Sequence, residues 1–173
     1  MEWLVVVFVR LLIPLFILKN PLWGSIAAVI ADNFDVIILD SLGVTDYSLY
    51  NPLDKGLDMY MYLIQGYTIL FWKNKFAKKI GLGLLGYRLV GFILYEFIQW
   101  RPLLFIFPNV FIFYYMYYVI YQAVFHKDPF KKPTPTFIVL TILTLLKLGQ
   151  EYMLYVAQFP IYQLIKGTIF PFI

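Results

Sequence analysis

The stretch ADNFDVIILDSLGVTDYSLYNPLDKGLD, Ala31 to Asp58, holds six of the chain's ten carboxylates: Asp32, Asp35, Asp40, Asp46, Asp54 and Asp58. Apolar runs border it, SIAAVI just before and MYMYLI just after. Ionisable side chains in such surroundings are costly unless they are paired or carry a function. Asp32 and Asp35 are three residues apart, and Asp54 and Asp58 four apart, so on helices each pair lies along one face. The stretch reads as the end of one apolar helix, a polar connection and the start of the next, with the two acidic pairs at facing ends.

The rest of the chain explains why those helices are expected in a bilayer. Of 173 residues, 62% are hydrophobic and 14% charged, against about 45–50% and 25% in soluble domains. That leaves too little polar surface to cover a globule in water, whereas lipid accepts apolar side chains on the outside of a helix bundle. Aromatics, at 21%, suit interfacial Trp and Tyr belts. Six apolar segments can be drawn: Trp3–Leu18, Pro21–Leu39, Leu57–Trp72, Ile80–Trp100, Pro102–Phe125 and Thr136–Phe159. Most approach the roughly 20 residues needed to cross about 30 Å of hydrocarbon. The first has no basic region before it, so it is expected to be a spanning helix rather than a signal peptide. The tail IYQLIKGTIFPFI is expected to lie along the interface. The expected fold is all-α: a multi-pass transmembrane helical bundle of about six spanning helices, one domain over residues 1–173, with no internal repeat.

Charge sets the expected orientation. KNKFAKK carries Lys73, Lys75, Lys78 and Lys79, and HKDPFKKP carries Lys127, Lys131 and Lys132. With Lys19, these fall on one side of the predicted helices, against Lys55, Arg101 and Lys166 on the other. The bias of Lys and Arg towards the cytoplasm puts the lysine loops inside the cell membrane and the Asp-rich connection outside the cytoplasm. Membrane lipids are the expected partners, with a homo-oligomer left open. Nucleic acid is not expected, because the lysines sit in short loops between apolar runs. With no cysteine and a single histidine, His126, disulfides, thiolate metal sites and a multi-His zinc site are excluded.

Carboxylates held close together repel, and a hard divalent cation balances them well, since Mg²⁺ and Ca²⁺ prefer carboxylate oxygen. Asp32, Asp35, Asp54 and Asp58 are therefore the candidate metal ligands. Mg²⁺ or Mn²⁺ are the candidate ions, or Ca²⁺ if the site is extracytoplasmic. The competing reading is a solvated or internally paired acidic cluster, with Arg10 the best candidate counter-ion because the first two segments join through a very short turn.

The string VRLLIPLFIL, followed by AAVIADNFD and then NPLDKGLD, resembles the front half of the CDP-alcohol phosphatidyltransferases. The resemblance implies six spanning helices and phospholipid synthesis. It also implies a divalent metal held by Asp32, Asp35, Asp54 and Asp58, with Asp58 as the base on the acceptor alcohol. Metal would neutralise the pyrophosphate while a carboxylate deprotonates the attacking hydroxyl. Val36 stands where the family has glycine, Leu39-Asp40 where it has Ala-Arg, and the resemblance covers about the first third of the chain. Two functions are thus expected from the sequence. One is a membrane protein whose Asp site binds a cation or polar ligand; the other is a metal-dependent phosphatidyltransferase.

Further polar residues fall within apolar segments. Arg88 and Glu96 share a helix face two turns apart, and Lys147 and Glu151 are four apart. These charges are expected either to neutralise each other inside the bundle or to line a cavity, where Arg88 would hold a lipid phosphate. Pro108 is expected to kink the fifth segment, with Asn109 bonding the freed carbonyl or a neighbouring helix. GLGLLG, Gly81 to Gly86, matches a nucleotide-binding string, but no strand precedes it, and Gly91 follows on the same segment. Gly81, Gly83, Gly86 and Gly91 read instead as small residues that let helices approach. The tyrosines from Tyr114 to Tyr121 read as packing and interface anchors, and His126 as a solvated residue at a helix end.

Overall fold

Two prolines and two short turns decide how the apolar segments divide. The computed structural model describes residues 3–41, 50–100, 102–130 and 133–153, and these are all helical, with no strand among them. Helix α1 runs Trp3–Leu12 and tightens at Pro14 into a 3₁₀ segment, Ile13–Leu18. Helix α2 is Pro21–Ser41, α3 is Tyr50–Ile69 and α4 is Lys75–Ile98. Helix α5 is Pro102–Ile106, α6 is Val110–Phe125 and α7 is Pro133–Glu151. The interfacial tail expected after Phe159 lies outside the described residues, as do Asp46 and Lys131 and Lys132.

The fifth segment is two helices rather than one kinked helix. Proline has no N–H to give and its ring crowds the preceding turn, so the chain breaks over 107–109. Polar side chains from neighbouring helices take up the exposed backbone groups: Arg88 Nη1 donates to the Phe107 carbonyl at 2.8 Å, and Asn109 N–H donates to Glu151 Oε1 at 2.8 Å. The Phe107 carbonyl is thus met by Arg88, and the Asn109 Oδ1 has no partner among the described atoms. At the first break, the Tyr60 hydroxyl donates to the Leu11 carbonyl at 3.1 Å.

Glycine sets the closest approach. A Cβ on Gly24 would lie 2.4 Å from the Ile17 backbone nitrogen, so only glycine lets α2 pack back against the 3₁₀ segment. A Cβ on Gly91 would lie 2.2 Å from Phe107 Cβ, at the Pro108 break. The expectation for the four glycines of α4 holds at Gly81 and Gly91, which face neighbours. Gly83 and Gly86 face open space.

The core is aromatic. Phe111, Tyr114, Tyr115 and Tyr118 of α6 are fully buried. Trp72 stacks on Tyr118 with ring centroids 3.6 Å apart, and Phe130 stacks on Tyr114 at 5.1 Å. Burying tyrosine requires a partner for its hydroxyl: Tyr114 donates to the Ala77 carbonyl at 2.8 Å, and Tyr115 meets Thr68 at 2.6 Å. His126 caps α6 with a left-handed backbone (φ 51°) and is exposed, as its position beside Lys127 suggests.

Among the described residues one helix, Lys75–Ile98, is long and apolar enough to cross a membrane, with 24 residues and a mean hydropathy of 1.4. Leu4–Leu18 and Val110–Phe125 are apolar but shorter, because Pro14 and Pro108 end their regular runs. Helices α2 and α3 have the length, at 21 and 20 residues, but carry the aspartates.

Candidate functional site

The four aspartates singled out by spacing meet around one residue. Asp32 and Asp35 project from the second half of α2, and Asp54 and Asp58 from the first turns of α3. Arg10, near the end of α1 and only 4% exposed, reaches between them. Its Nη1 donates to Asp35 Oδ2 at 2.7 Å and to Asp54 Oδ1. Its Nη2 donates to Asp58 Oδ1 at 2.6 Å and to Asp32 Oδ1. A planar guanidinium offers several donors in a fixed fork, which is why arginine rather than lysine can bridge several carboxylates at once.

The four acids are not equivalent. Asp35 is buried and takes a second bond from the Tyr50 hydroxyl, which also accepts from Arg10 Nη1 at 3.2 Å. Asp32, Asp54 and Asp58 keep 31%, 38% and 24% of their side-chain surface open. One carboxylate oxygen from each of these three lies within 4.8 Å of the others. Oxygens that far apart can share one ion at the 2.0–2.6 Å typical of Mg²⁺ and Ca²⁺. The donor set, all carboxylate oxygen, suits a hard cation. Four carboxylates against the Arg10 guanidinium and the more distant Lys147, whose charge also acts on Asp32 and Asp58, leave a formal excess of negative charge, which a divalent ion would reduce.

Tyr50 was not anticipated as part of the site. The signal was present: Tyr50, Asp54 and Asp58 repeat every four residues and so share one face of α3. Asp40 has no described side chain.

Arg88 stands apart from this cluster. It is 7% exposed and bound to the Phe107 carbonyl, and its Nε has no partner among the described atoms. Glu96 is exposed, so burial separates it from Arg88 despite their shared register. Lys147 and Glu151 do pair, at 3.6 Å, and both are buried. Arg88, Lys147, Glu151 and Asn109 thus gather around the Pro108 break. Lys55, at the acidic end, sits over the Tyr95 ring at 3.8 Å from its centroid.

Comparison with known protein families, with curated proteins and with solved structures returns no match to this chain.

Proposed function

We propose that the chain is a multi-pass integral membrane protein that holds a divalent cation on Asp32, Asp54 and Asp58, with Arg10 and Asp35 bracing the cradle. The observation that carries this reading is the convergence of three partly open carboxylates from two helices. Such a concentration of like charge calls for a counter-ion beyond Arg10.

The membrane part of the reading is supported by where the apolar surface lies. Only 28% of the apolar window in α4 is buried, whereas the core helix of a soluble protein is mostly covered. Phe97 is 83% exposed, Phe8 67% and Leu145 63%, on α4, α1 and α7. Large exposed apolar areas mark surfaces covered by something other than water, and lipid covers all of them at once. The expected partners are therefore membrane lipids.

A second reading, a metal-dependent transferase acting on a lipid-linked phosphate, is favoured by one observation. The Asp pairs that resemble the CDP-alcohol phosphatidyltransferase motif meet in space. In that reading Asp58 takes the proton of the acceptor hydroxyl and the metal bears the phosphate charge. Arg88 would serve only a phosphate that reaches the Pro108 break.

Mn²⁺ binding by purified protein in detergent, followed by electron paramagnetic resonance, tests the first reading. The wild-type chain should bind the ion, and Asp54→Asn should weaken binding by at least about tenfold, the scale on which loss of a charged partner acts. Equal signals from the two proteins would refute the cation site. The second reading requires in addition that a lipid extract be turned over with Mn²⁺ and not by Asp58→Asn.

A further inference from the structure

At the far end of α2 and α3 from the aspartates, a cleft of about 780 Å³ opens between the α1–α2 turn, the end of α3 and the end of α6. From Pro21 at the cleft to Asp32 is eleven residues of helix, about 16 Å. The cleft is therefore separate from the acidic site. Its volume falls within the range of about 300–1,000 Å³ typical of small-molecule sites.

The walls are apolar and already shaped. Leu18, Leu22, Phe71, Trp72, Val119 and Ala123 supply most of the surface, and Trp72 is fixed by its stack on Tyr118. Of the polar wall residues, Thr68 donates to the Gln65 carbonyl at 2.7 Å, Gln122 Nε2 donates to the Tyr118 hydroxyl at 3.2 Å, and Asn20 Oδ1 accepts the Trp23 N–H at 3.1 Å, while Asn20, Tyr67 and Gln122 are exposed. An alkyl chain would lose little against the apolar part of the wall.

Two lysines neighbour the lining in sequence: Lys19 stands between the wall residues Leu18 and Asn20, and Lys73 follows Trp72; both are exposed. No carboxylate lines the cleft among the described residues. Asp128, in the α6–α7 connection, uses its Oδ1 to accept the Phe130 N–H at 2.8 Å.

From a largely apolar cleft with two exposed lysines next to its walls in sequence we infer that it binds an anionic phospholipid, one acyl chain between α3 and α6 and the headgroup phosphate against Lys19 and Lys73. This rests on the membrane part of the reading above and not on the cation site.

The test uses Trp72 as the reporter. In a chain with Trp3, Trp23 and Trp100 changed to Phe, reconstituted in liposomes, brominated phosphatidylglycerol should quench Trp72 more strongly than brominated phosphatidylcholine at the same mole fraction. Each lysine near an anionic lipid is worth about fivefold in preference, so Lys19→Gln with Lys73→Gln should abolish the difference. Equal quenching by the two lipids, or a preference that survives the double substitution, overturns the inference. Native mass spectrometry of the otherwise wild-type chain gives a second measurement that needs no tryptophan removed. Bound phosphatidylglycerol should be retained by the wild type and lost from the lysine variant, and retention by both overturns the inference. Trp23, 66% exposed, serves as control in a matching variant. If neither brominated lipid quenches Trp23, the membrane reading itself fails, a result distinct from loss of headgroup preference.

Discussion

Arg10 carries more of this molecule's logic than any other single residue. Buried and bonded to Asp32, Asp35, Asp54 and Asp58, it joins α1, α2 and α3 at one point. Breaking a buried ion pair by deleting one partner costs about 3–5 kcal/mol, because the other charge is left uncompensated. Here several are left. Arg10→Gln should therefore lower the melting temperature sharply in chelator. If the proposed cation site is real, Mn²⁺ or Mg²⁺ should restore much of the loss, since an ion that binds only the folded state stabilises it. Thermal unfolding of the variant in detergent, with and without ion, measures this. An equal Tm in both conditions would mean that the acids have no use for a metal. Spacing alone revealed the four aspartates, because i, i+3 and i, i+4 rules act within a helix. The short turn between the first two segments also points to Arg10 as a counter-ion for Asp32 or Asp35, and it pairs with both. That it reaches Asp54 and Asp58 as well depends on how far α1 extends before Pro14 turns it and on how closely Gly24 lets α2 return, both matters of packing between helices.

At the scale of elements, the prolines matter as much as the charges. Pro14 and Pro108 end regular helices inside apolar segments, and each break is held by polar side chains from other helices: Tyr60 at the first, Arg88 and Glu151 at the second. This gives the buried charges of α4 and α7 a structural task that their sequence context did not disclose. An acceptor at position 151 is what the Asn109 N–H requires. Glu151→Gln keeps that acceptor and loses only the counter-charge of Lys147. Glu151→Leu loses the charge too and in addition leaves the Asn109 N–H unsatisfied, a further loss of about 1–3 kcal/mol. Unfolding the two variants side by side in one detergent separates these outcomes, and comparable losses would show that the hydrogen bond is immaterial. Helix type and most helix positions were legible, because long apolar runs with few breakers leave little choice. The division of the fifth segment was not, because a proline within such a run can kink a helix or end it, and the partners that decide between the two come from far away in sequence.

The whole molecule is electrically polar along its helices. Helix α3, at 20 residues, is about 30 Å long, with Asp54 and Asp58 in its first turns and Lys73 just past its end. The cleft brings Leu18, Trp72 and Gln122 to one end, so the connections bearing Lys19, Lys73 and Lys127 gather opposite the aspartates. A bilayer aligned with α3, as proposed above, would place the lysines in one leaflet's interface and the acids in the other, and the positive-inside bias would then put the lysine end in the cytoplasm. The chain has no cysteine, so single cysteines report position without background. Ser48→Cys, in the connection outside the described residues, should react with a membrane-impermeant maleimide on intact cells. Lys79→Cys, in the first turns of α4, should react only after permeabilisation. The reverse pattern would put the acidic cluster in the cytoplasm and would favour the transferase reading over an external cation site. Labelling of both from one side would mean that α3 does not cross, and the polarity would then belong to a protein lying on the membrane rather than through it.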